Sequence, residues 1–266
     1  MEQAARIDIG GRGYTLVSDD DYLAAHGGVF EPDTVKLFRH LASGSNVALD
    51  IGANVGCTAL LLSQIAKQVH AFEPSPSTHH WLHQNTRQAP NVTTHNLGLG
   101  RAAAVSELTF APNNRSGGFV SDQTKATEGH TVETIQINRL DDVVRAQQIG
   151  PVDFIKMDVE GYELEVIKGA PETLWRYRPV IALEMNHWCL NAFHRVSVPD
   201  FLDYLTNAFP YVYAVHQGRR MDVREPGHRY DVMRLHILGG QYNGLVCAYD
   251  APRLNSFLAA YQPGLA

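Results

Sequence analysis

The chain has 266 residues, 44% hydrophobic and 19% charged, the balance of a folded globular protein rather than a disordered one. Its 22 basic and 28 acidic residues leave a net charge of −6, which argues against a broad electrostatic grip on nucleic acid. Cys57, Cys189 and Cys247 form no CxxC pair, no apolar run reaches the ~20 residues of a membrane helix, and no leader pattern opens the chain, so a reduced cytoplasmic setting is expected.

Residues 1–45 read as a lead-in, and residues 46–266 as the main α/β domain. In the lead-in, Ile7, Ile9, Tyr14, Leu16 and Val17 flank a glycine-rich turn, the pattern of a hairpin. Glu31-Pro32-Asp33 then opens a helix that carries Val35, Phe38 and Leu41 toward a core, with Pro32 at the first helical position. From Asn46 strands and helices alternate, which predicts a parallel sheet covered on both faces. Strands are expected over residues 47–51, 69–72, 91–95, 152–157, 180–184 and 211–216, with helices between them. Residues 105–110 and 131–137 alternate as strands and read as an inserted hairpin. The polar stretch between them, including residues 113–118, reads as a loop. Residues 233–238 and 245–248 read as a closing hairpin.

Ala48-Leu49-Asp50-Ile51-Gly52-Ala53-Asn54-Val55-Gly56 sits where the first strand of the main domain should turn into its helix, the end of such a sheet where ligands bind. Gly52 and Gly56 permit unusual backbone angles and close approach of a ligand, and Asp50 puts a carboxylate at the strand tip. A dinucleotide site wants G-x-G-x-x-G for its pyrophosphate, and the middle glycine is missing here. An acidic tip suits a sulfonium and an ammonium better than a phosphate. Seventeen residues on, Phe72-Glu73-Pro74 places a carboxylate that can accept from both hydroxyls of a ribose. A nicotinamide-dependent oxidoreductase stands as the rival enzyme, and a non-catalytic module of the same fold as the rival binding protein.

In Phe154-Ile155-Lys156-Met157-Asp158-Val159-Glu160-Gly161, the polar residues Lys156, Asp158 and Glu160 alternate along an apolar strand end and should share one face. Charges on a central strand are costly to bury unpaired, so they mark a pocket. Together with Leu49 to Gly56, Phe72-Glu73-Pro74, Leu140-Asp141-Asp142 and Lys168-Gly169-Ala170, this block resembles the FkbM family of S-adenosylmethionine-dependent methyltransferases, over roughly residues 30–184.

The resemblance implies a class I methyltransferase, Rossmann-like fold: a seven-stranded, mostly parallel sheet with one antiparallel strand and helices on both faces. It implies methylation of a hydroxyl on a sugar or natural-product-like small molecule. Asp50, Gly52, Asn54 and Gly56 would line the methionine and ribose side, with Ala53 in the same turn. Glu73, beside Pro74, would hold the ribose, and Asn96 and Leu97 would flank the adenine.

Methyl transfer to a hydroxyl needs positioning and a base or a metal. Asp158, Glu160, Glu184, His187 and Lys156 are the candidates at the correct end of the sheet. Asp158 could instead cap its helix or orient the cofactor amine, and Lys156 could simply neutralise Asp158 or Glu160. A divalent cation on Asp158, Glu184 and His187 is an option that no tight ligand motif supports. Glu31, with Asp33 and Thr34, could form a lid, and Arg115 in the loop could touch the acceptor, as could Glu160 and His187. Neither a nucleic-acid nor a membrane partner is expected. Oligomeric state is open, with a homodimer among the options.

Overall fold

A computed structural model describes residues 2–121, 124 and 128–264. The N-terminal hairpin pairs β1 (Gln3–Ile9) with β2 (Arg12–Ser18), and a short α1 (Tyr22–Ala25) leads to α2 (Pro32–Leu41). The alternating region follows as β3 (Val47–Ile51), α3 (Cys57–Ser63), β4 (Gln68–Phe72), α4 (Pro76–Thr86) and β5 (Val92–His95). Next come four strands, β6 (Gly98–Leu99), β7 (Ala104–Ala111), β8 (Asn114–Val120) and β9 (Thr131–Asn138), and then α5 (Leu140–Ala146). Alternation resumes with β10 (Val152–Met157), α6 (Glu163–Lys168), α7 (Pro171–Tyr177), β11 (Val180–Glu184), α8 (His187–His194), α9 (Val198–Ala208) and β12 (Tyr211–His216). The chain closes with β13 (Arg219–Asp222), α10 (Pro226–Gly239), β14 (Gly244–Ala248), α11 (Asn255–Ala260) and β15 (Gln262–Pro263).

Among the described residues the main sheet runs β15-β13-β12-β14-β11-β10-β3-β4-β5, nine strands where seven were expected. β5, β4, β3, β10 and β11 are mutually parallel, and β14 lies antiparallel between β11 and β12. The two additional strands, β13 and β15, extend the β12 edge after a tight turn at Gln217-Gly218, where both residues have positive φ. Alternate residues of β3 point to opposite faces, as a strand requires. Val47, Leu49 and Ile51 join a core built with α5 to α9, while Ala48 joins one built with the N-terminal hairpin, α2, α3 and α11. Among the described residues no helix is long and apolar enough to cross a membrane.

Two further sequence expectations fail. The insertion is a four-stranded sheet, β6-β9-β7-β8, and residues 114–118, read as a loop, lie in β8 against β7. The glycines that suggested a loop are followed by Phe119 and Val120, which register with Thr109 and Leu108. Part of the polar stretch beyond β8 lies outside the described residues. The closing hairpin is also wrong in its first half, because residues 233–238 are helical within α10. Pro226 starts that helix and Gly240, at φ 63°, ends it: its amide donates to the His236 carbonyl and the Gln241 amide to that of Leu235. Met233 and Leu235 pack against the core while Ile237 and Leu238 face outward, the division of a helix and not of a hairpin strand.

Candidate active site

β3 and β10 are adjacent and parallel, and their register sets Lys156 directly beside Asp50. Asp50 is fully buried; its carboxylate accepts from Thr58 Oγ1 at 2.6 Å and lies 3.3 Å from Lys156 Nζ. Lys156 also donates to the Gly52 carbonyl at 2.6 Å and sits 3.7 Å from Asp158. Burial alone would pull the Lys156 ammonium down, but the flanking carboxylates of Asp50 and Asp158 more than offset it and hold the ammonium above its ordinary range. Asp50 therefore stands behind the cavity wall and sets the lysine that faces it.

The turn after β3 needs glycine for a visible reason. Gly52 has φ 79°, and a Cβ there would lie 1.8 Å from the Asp158 carbonyl oxygen. Gly56, at φ 102°, lets α3 begin against Leu82 and Thr86 of α4 and does not reach the cavity. The amides of this turn are already committed: Gly52 and Ala53 donate to the Phe72 carbonyl, Asn54 to Glu73 and Gly56 to the Ala53 carbonyl.

Glu73 ends β4 at the cavity wall, its two oxygens accepting from the amides of Asn54 and Ser75, each at 3.0 Å. Burial pushes its carboxyl up to about 7, against the lowering effect of those two amides. Asn54, held at φ 47°, keeps a buried Oδ1 with no hydrogen-bond partner. The Asn96 amide is turned away from the cavity and donates to the carbonyls of Glu73 and Pro74, which clamps this corner. Leu97 does line the cavity, with Leu108, Ile135 and Ile137 of the insertion sheet and Val120. A carboxylate that can accept from a diol, beside an apolar slot, suits the ribose and base of a nucleoside.

The other end of the cavity is acidic. Asp158, Glu160 and Glu184 bring carboxylate oxygens within 4.8 Å of one another. Glu160 takes φ 53° and accepts from Asn186 Nδ2 and Cys189 Sγ, both at 3.1 Å. Burial and the neighbouring Asp158 push it up to about 7. Burial, then the neighbouring Asp158, push the Glu184 carboxyl well above its ordinary range. Asn243 Nδ2 donates to Glu184 from the far side at 3.3 Å. This trio is the one grouping among the described residues whose spacing could admit a metal ion, and the Lys156 ammonium already stands beside it.

The remaining sequence candidates divide. Glu31 lines the cavity and accepts from Thr34. Arg115 also lines it, but its guanidinium is bound in a fork to Asp19 at 2.6 and 2.7 Å and donates to Ser77 Oγ at 2.6 Å. His187 does not form part of the wall; its Nδ1 lies 3.2 Å from Nε2 of the buried His236. Sequence reasoning missed Tyr22, Asn243, Tyr261 and the turn His216-Gln217-Gly218, all of which line the cavity. Only the turn carried a local signal, a glycine just after an apolar strand. The cavity measures about 560 Å³, inside the range of small-molecule and cofactor sites.

Residues 50–213 match the methyltransferase FkbM domain. The hexuronic acid methyltransferase AglP of Haloferax volcanii is 33% identical over 145 residues, covering 54% of this chain and 58% of AglP. The 31-O-demethyl-FK506 methyltransferase FkbM of Streptomyces tacrolimicus is 28% identical over 167 residues, covering 52% of this chain and 64% of that protein. The 2-O-methyltransferase NoeI of Sinorhizobium fredii is 26% identical over 172 residues, covering 57% and 70%. The chain thus spans roughly three fifths of the length of the first two relatives. With the match running from the tip of β3 into β12, over more than half of the chain, the chain belongs to the FkbM methyltransferase family.

Proposed function

We propose that the protein is an S-adenosylmethionine-dependent O-methyltransferase for a hydroxyl of a small sugar or natural-product-like acceptor. The observation that carries this reading is one continuous cavity with Glu73 and an apolar slot at one end and Asp158, Glu160 and Glu184 at the other. The names of the relatives, a hexuronic acid methyltransferase and a 2-O-methyltransferase, support hydroxyl-rich acceptors. S-adenosylmethionine supplies an activated methyl group on its sulfonium. Glu73 would accept from the ribose hydroxyls, Leu97, Ile135 and Ile137 would pack the base, and Asn54 Oδ1 would meet a donor of the ligand.

On the acceptor side, Asp158 is the proposed base. It is the member of the carboxylate trio whose oxygen lies 3.7 Å from Lys156 Nζ. Glu184, whose carboxyl oxygen lies within 4.8 Å of that of Asp158, would help to orient it. The dinucleotide alternative loses support at the turn after β3, because the amides of Gly52, Ala53, Asn54 and Gly56 are already used within the protein.

S-adenosylhomocysteine at about a hundred times its Kd should stabilise the fold by roughly 2.7 kcal/mol, visible as a raised melting temperature. Glu73→Ala should weaken that ligand about tenfold or more, as expected for lost hydrogen bonds to a charged acceptor. Asp158→Asn should bind it normally and lose about a hundredfold or more in methyl transfer. An unchanged melting curve with saturating S-adenosylhomocysteine sinks the proposal.

A further inference from the structure

We propose that the acceptor is a polyol without acid groups, with an amino substituent favoured near the reacting hydroxyl, and that uronates and sugar phosphates are rejected. This deepens the methyltransferase reading and rests on it. The argument is the charge balance of the cavity beyond the nucleoside end. Glu31 and Asp33 enter the wall from the start of α2, and Asp158, Glu160 and Glu184 from the ends of β10 and β11. Against these five carboxyl groups the described residues of the wall include two permanent cations, Lys156 and Arg115, and both are already engaged. Lys156 faces Asp50, Asp158 and the Gly52 carbonyl; Arg115 is forked onto Asp19 and donates to Ser77.

An anionic acceptor is normally read by an arginine fork or a lysine with free donors. Here that fork is closed on a carboxylate of the protein itself. Of the other groups nearby, His216 lines the cavity, while Lys36 is outside the wall with its ammonium 5.4 Å from the Tyr261 ring centroid. A further carboxylate brought among Asp158, Glu160 and Glu184 would find no free cation among the described wall residues and would sit beside acidic groups in a partly buried site, which disfavours it. An ammonium relieves the same repulsion. The raised carboxyls agree: burial, and then the neighbouring Asp158, push Glu160 and Glu184 up, and a bound cation would draw both back down.

The test titrates the protein with S-adenosylhomocysteine first, then adds the methyl glycosides of glucosamine, glucose and glucuronate in separate runs at pH 7, read by calorimetry and saturation-transfer NMR. The glucosamine glycoside should bind at least as tightly as the glucoside, and the glucuronate about tenfold or more weaker. Glu160→Gln/Glu184→Gln should narrow the gap between the amine and the uronate. Failure of S-adenosylhomocysteine to bind overturns the methyltransferase reading and this inference with it. Nucleoside binding followed by glucuronate binding as tight as glucoside, or by none of the three glycosides binding, overturns this inference alone.

Discussion

Lys156 holds the tip of β3, the Gly52 turn and Asp158 in one arrangement, and it does so from a side chain only 8% exposed. Removing it leaves Asp50, which is fully buried, with the Thr58 hydroxyl as its one hydrogen-bond partner. Breaking a buried pair from one side typically costs about 3–5 kcal/mol, because the remaining charge stays unpaired. Lys156→Met should therefore lower the melting temperature by about 10 °C. Lys156→Met/Asp50→Asn should recover much of that loss, since removing both charges lifts the desolvation penalty. Equal destabilisation of the single and double variants, measured by calorimetry, would show that Lys156 acts by packing instead. Part of this was legible beforehand. The alternation of Lys156, Asp158 and Glu160 placed them at one strand end, and the acidic tip of β3 marked Asp50. The pairing of Lys156 with Asp50 was not legible, because it depends on which strand lies beside β10. Glu160 turns instead to Asn186 and Cys189, a contact set by α8.

At the level of elements, local punctuation was readable and long-range pairing was not. Ser75 capping α4 with Pro76 behind it, and Pro32 opening α2, are decided within a few residues. β8 depends on β7 for its existence as a strand and on the N-terminal segment for its position. Arg115 on β8 is 10% exposed at its side chain and ties this sheet to Asp19, just after β2, and to Ser77 in the first turn of α4. Glu133 on β9 adds to the seam by accepting from Ser75 Oγ and Ser77 Oγ. The Arg115 guanidinium holds the Asp19 carboxyl below its ordinary range, against the effect of burial. A charge-assisted fork of this kind contributes about 1.5–3 kcal/mol. Arg115→Ala should lose that stability and speed hydrogen exchange in β8. Arg115→Lys should rescue little, because an ammonium cannot span both oxygens of Asp19. A double-mutant cycle with Asp19→Ala that gives no coupling would refute the strap.

For the molecule as a whole, buried titratable groups set opposing limits on stability with pH. Burial pushes Glu73 and Glu160 up to about 7, Glu163 up to about 8 and Glu184 up to about 9. Above about pH 4.5 the native state keeps protons on these groups that the unfolded chain has released, so stability falls as pH rises toward 9. Burial acts oppositely on His70, His79, His95 and His236, which are held below their ordinary value, His95 at about 4. Below about pH 6.5 the unfolded chain gains protons that these rings refuse, so stability falls again toward acid. The melting temperature should therefore peak near pH 6 and decline on both sides. Glu163 isolates the alkaline limb, since it is 1% exposed, lies outside the cavity wall and accepts from the amides of Val159 and Gly161 through one oxygen. Glu163→Gln keeps an acceptor for those amides and removes a titrating proton. It should flatten the decline between pH 6 and 9 in a scanning-fluorimetry series while leaving the acid limb in place. An alkaline limb as steep in Glu163→Gln as in the parent would show that this carboxyl is ionised in the native fold and that the turn between β10 and α6 tolerates its charge.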